Sequence, residues 1–225
     1  MSQLFGYLLA ALLGYLFGAI PSGYVAVKLL TGQDVRTFGS GRTGGTNAVR
    51  AAGLAAGALT GAGDIIKGAM AVWVAGWLGA QLDLGAPAVA QVLAGLLAVV
   101  GHNYSIFMNW KGGAGTGPNV GVATGFWFPA LFILAPLIPI MIVVTGYASV
   151  TSLTIAGLVP LLFVARALVA QAPWEYTVYG ILAGTLVVWA LRPNIARLKA
   201  GTERVVGPRA KAQKKQQMQQ DEGQA

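Results

Sequence analysis

From residue 3 to residue 27 the chain carries no charged side chain, and long apolar runs recur along the rest of it. About 20 apolar residues in a helix cross the hydrocarbon core of a bilayer, where only helices and closed barrels satisfy their own backbone groups. These runs are continuous rather than alternating, so helices are expected. Seven spans can be drawn: residues 4–30, 54–80, 87–105, a short and a full one cut from 120–144 near Phe128–Pro129, 153–169 and 176–191. The expected fold is all-α: a polytopic integral membrane protein of about seven transmembrane helices joined by glycine-rich cytoplasmic loops. A composition that is 56% hydrophobic and 10% charged, with 32 glycines for close helix approach, agrees. Residues 1–206 read as one transmembrane domain. Residues 207–225 read as a basic, Gln-rich cytoplasmic tail, disordered or at most weakly helical. The first span lacks a basic leader and a small-residue cleavage site, so it reads as an anchor.

Charge placement orients the chain. Thirteen of the 15 Lys and Arg residues fall on one side of the expected spans; Lys67 lies within a span and Arg166 on the far side. Positive residues collect on the cytoplasmic side, which puts the N-terminus out and the C-terminus in. The net charge of +8 is thus a topology signal, and no nucleic-acid partner is expected. With no cysteine, one histidine and no cage of carboxylates, neither a metal nor another cofactor is expected.

Three polar segments share the face so defined. The first is GSGRTGGTNAVR, Gly39–Arg50, which has no apolar side chain before Ala48 and a helix start near Asn47. The second is WKGGAGTGPN, Trp110–Asn119, and the third RPNIARLKAGTE, Arg192–Glu203. Glycines let a ligand approach backbone N–H groups, and with Arg and Lys they suit phosphate oxygens or a developing oxyanion. Neither glycine-rich loop is a P-loop, because GxxxxGK[ST] is absent. Asp64 and Lys67, spaced i,i+3 within a span, are either a structural ion pair or part of a site lining. His102, at the end of a span, either satisfies a buried group or moves a proton.

These residues resemble the bacterial acyl-phosphate:glycerol-3-phosphate acyltransferases of the inner membrane. That family has a GSGNxGATNxxR loop, a KGGKGxAT loop and a final motif near HxxNIxRLxxGxE. IPSGY (Ile20–Tyr24), DIIKG (Asp64–Gly68), GHN (Gly101–Asn103) and the polar break Thr145–Ser152 also match in order. The resemblance implies transfer of a fatty acyl group from acyl phosphate to glycerol 3-phosphate at the cytoplasmic membrane surface, giving lysophosphatidic acid and phosphate. It implies a monomer among membrane lipids. The catalytic candidates are Ser40, Asn47, His102 and Lys111. The substrate-binding candidates are Gly39, Gly41, Arg42, Thr46, Arg50, Lys67, Gly112, Gly113, Ser149, Asn194, Arg197 and Glu203. The proton of the acceptor hydroxyl goes to His102 or to the leaving phosphate.

Several motif positions depart from the family pattern. Arg42 stands for Asn, Gly45 for Ala, Ala114 for Lys, Leu191 for His and Gly146 for Arg. Each charge-assisted contact is worth about 1.5–3 kcal/mol, so the changes bear on acceptor choice, and Arg42 is expected to restore part of the missing charge. Two alternatives stay open: a divergent paralogue with another acceptor, and a transporter of a small phosphorylated solute.

Overall fold

The computed structural model describes residues 3–222; residues 1–2 and the end of the tail, 223–225, lie outside the described residues. Its helices are α1 (Gln3–Ala19), α2 (Ser22–Thr31), α3 (Gly45–Gln81), α4 (Pro87–Asn103), α5 (Thr116–Phe126), α6 (Ala130–Thr145), α7 (Ala148–Ala170), α8 (Trp174–Ala190), α9 (Arg192–Lys199) and α10 (Gly207–Glu222). Pro21, in the IPSGY turn, separates α1 from α2 within the first span. Four segments are long and apolar enough to cross a membrane: α1–α2, α3, α4 with the turn after it, and α7; α8 and α9, bent by 63°, give a fifth. Helix α6 has 16 residues. The fourth expected span is α5, whose 11 residues rise only about 16 Å against a core of about 30 Å. Length alone therefore does not establish seven complete crossings.

Small residues set the packing. Along α1, Gly14 and Gly18 lie against the backbone of Ala94 and Ala98 in α4, where any Cβ would overlap a carbonyl. Gly121 of α5 sits on Ile65 of α3 in the same way. The central core joins Val72, Val99, Val122, Leu134, Phe163 and Tyr179 from six helices.

Three element boundaries bear on the site. Helix α3 starts at Gly45, near the helix start expected at Asn47, and non-helical Ala52 and Gly53 split off a short first segment holding Thr46, Asn47 and Arg50 from the span that follows. Helix α7 starts at Ala148, because the polar break shrinks to Gly146–Tyr147, and Ser149 becomes part of its first turn. The tail forms α10, with its Arg209 guanidinium donating to the carbonyls of Val144 (2.6 Å) and Thr145 (3.1 Å).

Candidate functional site

The first glycine-rich loop is built around Asn47. Its Nδ2 donates toward the carbonyls of Val35 (2.8 Å), Phe38 (2.9 Å) and Arg42 (2.8 Å), while Oδ1 accepts from the N–H of Ser40 (3.3 Å). Both N–H groups of the amide are thereby taken up by the loop backbone. Asn47, expected as a catalytic group, is buried beneath the loop, and its side chain ties the loop backbone together. It holds Gly39 at φ +48, so that Gly39 lies beneath Asn47 Oδ1 and the Arg50 side chain, and its carbonyl accepts from Arg204 Nη1. Ser40 and Gly41 are left facing the cleft, whereas Thr46 is off its wall.

The second loop lies on the end of α4. The N–H groups of Gly112 and Gly113 donate to the carbonyls of Asn103 (3.1 Å) and His102 (3.0 Å). A Cβ on Gly112 would overlap the His102 carbonyl, and one on Gly113 the His102 ring. These amides are therefore spent on the fold, and the oxyanion role expected of the glycine backbone does not follow here. What the loop presents to the cleft is Lys111, exposed and in no ion pair among the described residues.

Beneath that loop is a buried ionic cluster. Lys67 Nζ lies 2.8 Å from Asp64 Oδ1, 3.0 Å from His102 Nδ1 and 2.8 Å from the Ile20 carbonyl. Its ammonium is thus surrounded by one carboxylate, one imidazole nitrogen and one carbonyl, and His102 Nδ1 lies 3.5 Å from the same Asp64 oxygen. All three side chains are 3–4% exposed and none lines the cleft. Lys67, expected on substrate, and His102, considered for proton transfer, lie behind the second loop and off the cleft wall.

The third segment gathers on Glu203. Its Oε1 accepts from Asn194 Nδ2 (2.8 Å) and Ser149 Oγ (3.0 Å), and its Oε2 from Arg197 Nε (2.9 Å). Burial would raise the pKa of Glu203, yet the hydrogen bonds from Asn194, Arg197 and Ser149 outweigh it and hold the carboxyl below its ordinary range. Ser149 and Glu203, expected on substrate, act here on each other and on Asn194 and Arg197.

The three segments meet at one cleft. A cavity of about 610 Å³ has Ser40, Gly41, Arg42, Lys111, Gly112 and Gly113 on its wall. A smaller one of about 220 Å³ adjoins it, lined by Ser40, Arg42, Asn194, Arg197 and Arg204. Ser40 and Arg42 belong to both. Arg42 Nη2 donates to the Ala190 carbonyl, while its Nη1 is buried without a hydrogen-bond partner. Burial first, then repulsion from Arg197, pushes the Arg42 pKa below its ordinary value. An anion at Nη1 would relieve both.

Two cleft cations went unrecognised in the sequence. Arg204 and Arg36 count equally well as topology charges, although Arg204 adjoins the Glu203 motif. Arg36 is held by Asp34 at 2.7 Å. Asn103, Tyr104 and Trp110, also on the wall, carry only the signal of lying beside His102 and Lys111.

Fold and site define an integral membrane protein that gathers cations around a cleft between its loops. The sequence profile of the glycerol-3-phosphate acyltransferase family matches residues 8–201. A glycerol-3-phosphate acyltransferase of Syntrophomonas wolfei is 37% identical over 87% of this chain and 95% of its own length. One from Gloeobacter violaceus is 37% identical over 86% and 91%. The crystal structure of PlsY (YgiH), an integral membrane glycerol 3-phosphate acyltransferase, in its glycerol 3-phosphate form matches with a TM-score of 0.75 and 29% identity. It covers 89% of this chain and 96% of that one. The lysophosphatidic acid form of the same protein gives 0.73 and 30% over 89% and 95%. This chain belongs to the glycerol-3-phosphate acyltransferase family and is an acyltransferase, which sets aside the transporter alternative.

Proposed function

We propose that the enzyme moves a fatty acyl group from acyl phosphate to the 1-hydroxyl of glycerol 3-phosphate, forming lysophosphatidic acid and phosphate at the start of phospholipid synthesis. The observation that carries this is the shared wall: two adjoining pockets, with Ser40 and the unpartnered Arg42 Nη1 between them, suit two anionic substrates meeting at one point. Two phosphate esters bring a charge of about −3 to −4. Arg36 and Arg197 are offset by Asp34 and Glu203, which leaves Arg42, Lys111 and Arg204 on the cleft wall to balance it. The glycerol 3-phosphate and lysophosphatidic acid forms of the similar crystal structure support this choice of acceptor and product.

The acceptor hydroxyl attacks the acyl carbonyl, its new C–O bond forms, and the bond from carbonyl carbon to phosphate oxygen breaks. Because acyl phosphate is already activated, the protein need only position the pair and stabilise charge on the carbonyl oxygen. Ser40 Oγ and Lys111 Nζ are the groups placed for that, and Arg42 spans both phosphates. With His102 buried behind Gly113, the leaving phosphate takes the proton. The placement of Lys and Arg supports a cleft on the cytoplasmic face.

The test uses purified protein and sealed vesicles. Lysophosphatidate should form from acyl phosphate and glycerol 3-phosphate, with Lys111→Ala and Ser40→Ala each lowering turnover at least about tenfold in a folded protein. Inverted vesicles should accept added glycerol 3-phosphate and right-side-out ones should not. A well-folded Lys111→Ala at full activity removes the second loop from the site.

A further inference from the structure

The family profile ends at residue 201, yet the chain beyond it is fastened to the site at several points. Glu203 binds Ser149 at the start of α7, and Arg204 binds the Gly39 carbonyl of the first loop. Val206, buried, donates its N–H to the Gly146 carbonyl at 2.8 Å. Arg209 then crosses Gly146 and donates from Nη2 and Nη1 to the carbonyls of Val144 and Thr145, which end α6. A cation on those free carbonyls also sits favourably in the helix dipole. The corner is shaped for this crossing: Gly146 has φ +77, and a Cβ there would stand 2.7 Å from Arg209 Cδ. Gly207, at φ +68, packs on Ile142 of α6 and turns the chain into α10.

We infer that residues 203–209 form a strap across the α6–α7 corner, with Arg209 as its anchor and a positioning residue for the acceptor end of the cleft. Glu203 and Arg204 are the only links between the strap and the cleft among the described residues. They govern Arg197, Asn194 and Gly39 in turn. Without Arg209 the Val206 N–H is the one hydrogen bond left between the strap and the end of the α6–α7 corner at Gly146, and Glu203 is held less firmly on Ser149. Arg197 would then lose its orientation while Lys111 and Ser40 stay in place. Binding of the phosphorylated acceptor should weaken and the chemical step should not. This rests on the proposed function and takes the smaller pocket, lined by Arg197 and Arg204, as the one that holds the acceptor phosphate.

Steady-state kinetics in detergent separate the two ideas. Arg209→Gln, and a chain ending at Val206, should each raise KM for glycerol 3-phosphate about three- to tenfold with kcat within about twofold, and Arg209→Lys should recover part of it. A chain ending at Lys211 should behave like the full protein. In the unaltered enzyme the Val206 amide should exchange hydrogen far more slowly than amides of residues 212–222, and Arg209→Gln should remove that protection. Unchanged KM in both Arg209→Gln and the chain ending at Val206, or fast exchange at Val206 in the unaltered protein, overturns the strap. Arg197→Gln serves as the separate check: if it leaves KM for glycerol 3-phosphate unchanged, the acceptor reading fails, whatever Arg209 does.

Discussion

The two glycine-rich loops look alike in sequence and are held in opposite ways. The first is organised from within: one amide, Asn47, ties Val35, Phe38, Ser40 and Arg42 together, Gly44 faces open space and Gly41 meets only the Arg36 carbonyl at 3.5 Å, while Gly39 lies against Asn47 itself. The second is organised from outside. Gly112, Gly113, Gly115 and Gly117 press on His102, Asn103 and Asp64, so the loop takes the shape of the end of α4 and the charged cluster beneath it. A glycine count therefore says nothing about why the glycines are there. In one loop they permit a turn, and in the other they permit contact.

The contrast ranks the expected effects of substitution. Gly113→Ala should be the most damaging, because its Cβ falls inside the His102 ring; a loss of more than about a hundredfold in kcat/KM, or failure to fold, is expected. Activity and thermal melting of the purified variant decide it, and an active, stable Gly113→Ala would break the comparison. Asn47→Ala strips the first loop of its tie and leaves buried carbonyls unpaired. It should destabilise the protein by about 2–4 kcal/mol and cut turnover about tenfold, read by melting and by the transfer assay. Gly41→Ala tests the permissive glycines. Although φ is +70, the nearest atom to its Cβ is the Arg36 carbonyl oxygen at 3.5 Å. Only backbone strain of about 1–2 kcal/mol remains, so activity should fall by less than about threefold if the loop keeps its shape.

The apolar runs revealed the membrane class, and charge placement brought the three polar segments to one face before any geometry was known. What they did not reveal was direction. Lys67 and His102 are polar residues in apolar runs and Asn47 lies in a polar one, and either pattern is the same whether a side chain faces a substrate or satisfies a neighbour. Arg36 and Arg204 were hidden for the converse reason, since a cation beside a span already has an explanation. The departures from the family motifs also make sense only in three dimensions. Ala114 and Leu191, where the resemblance expects Lys and His, pack in one apolar cluster with Ala156, Val187 and Ile195. The two changes form a matched pair, and a lysine restored at 114 alone would enter apolar surroundings. Gly146, where it expects Arg, is crossed by Arg209.

The buried cluster of Asp64, Lys67 and His102 bears on how the chain is made. A lone lysine at the centre of a span raises the cost of membrane insertion by about 2.5–3.5 kcal/mol. Here α3 brings its own counter-ion one turn away, so it enters the bilayer as a neutral dipole. The Ile20 carbonyl, exposed by the break before α2, is synthesised earlier and already waiting. His102 arrives last, with α4. The order of the chain thus supplies Lys67 with partners in sequence, and the second loop has no seat until the third span is in place.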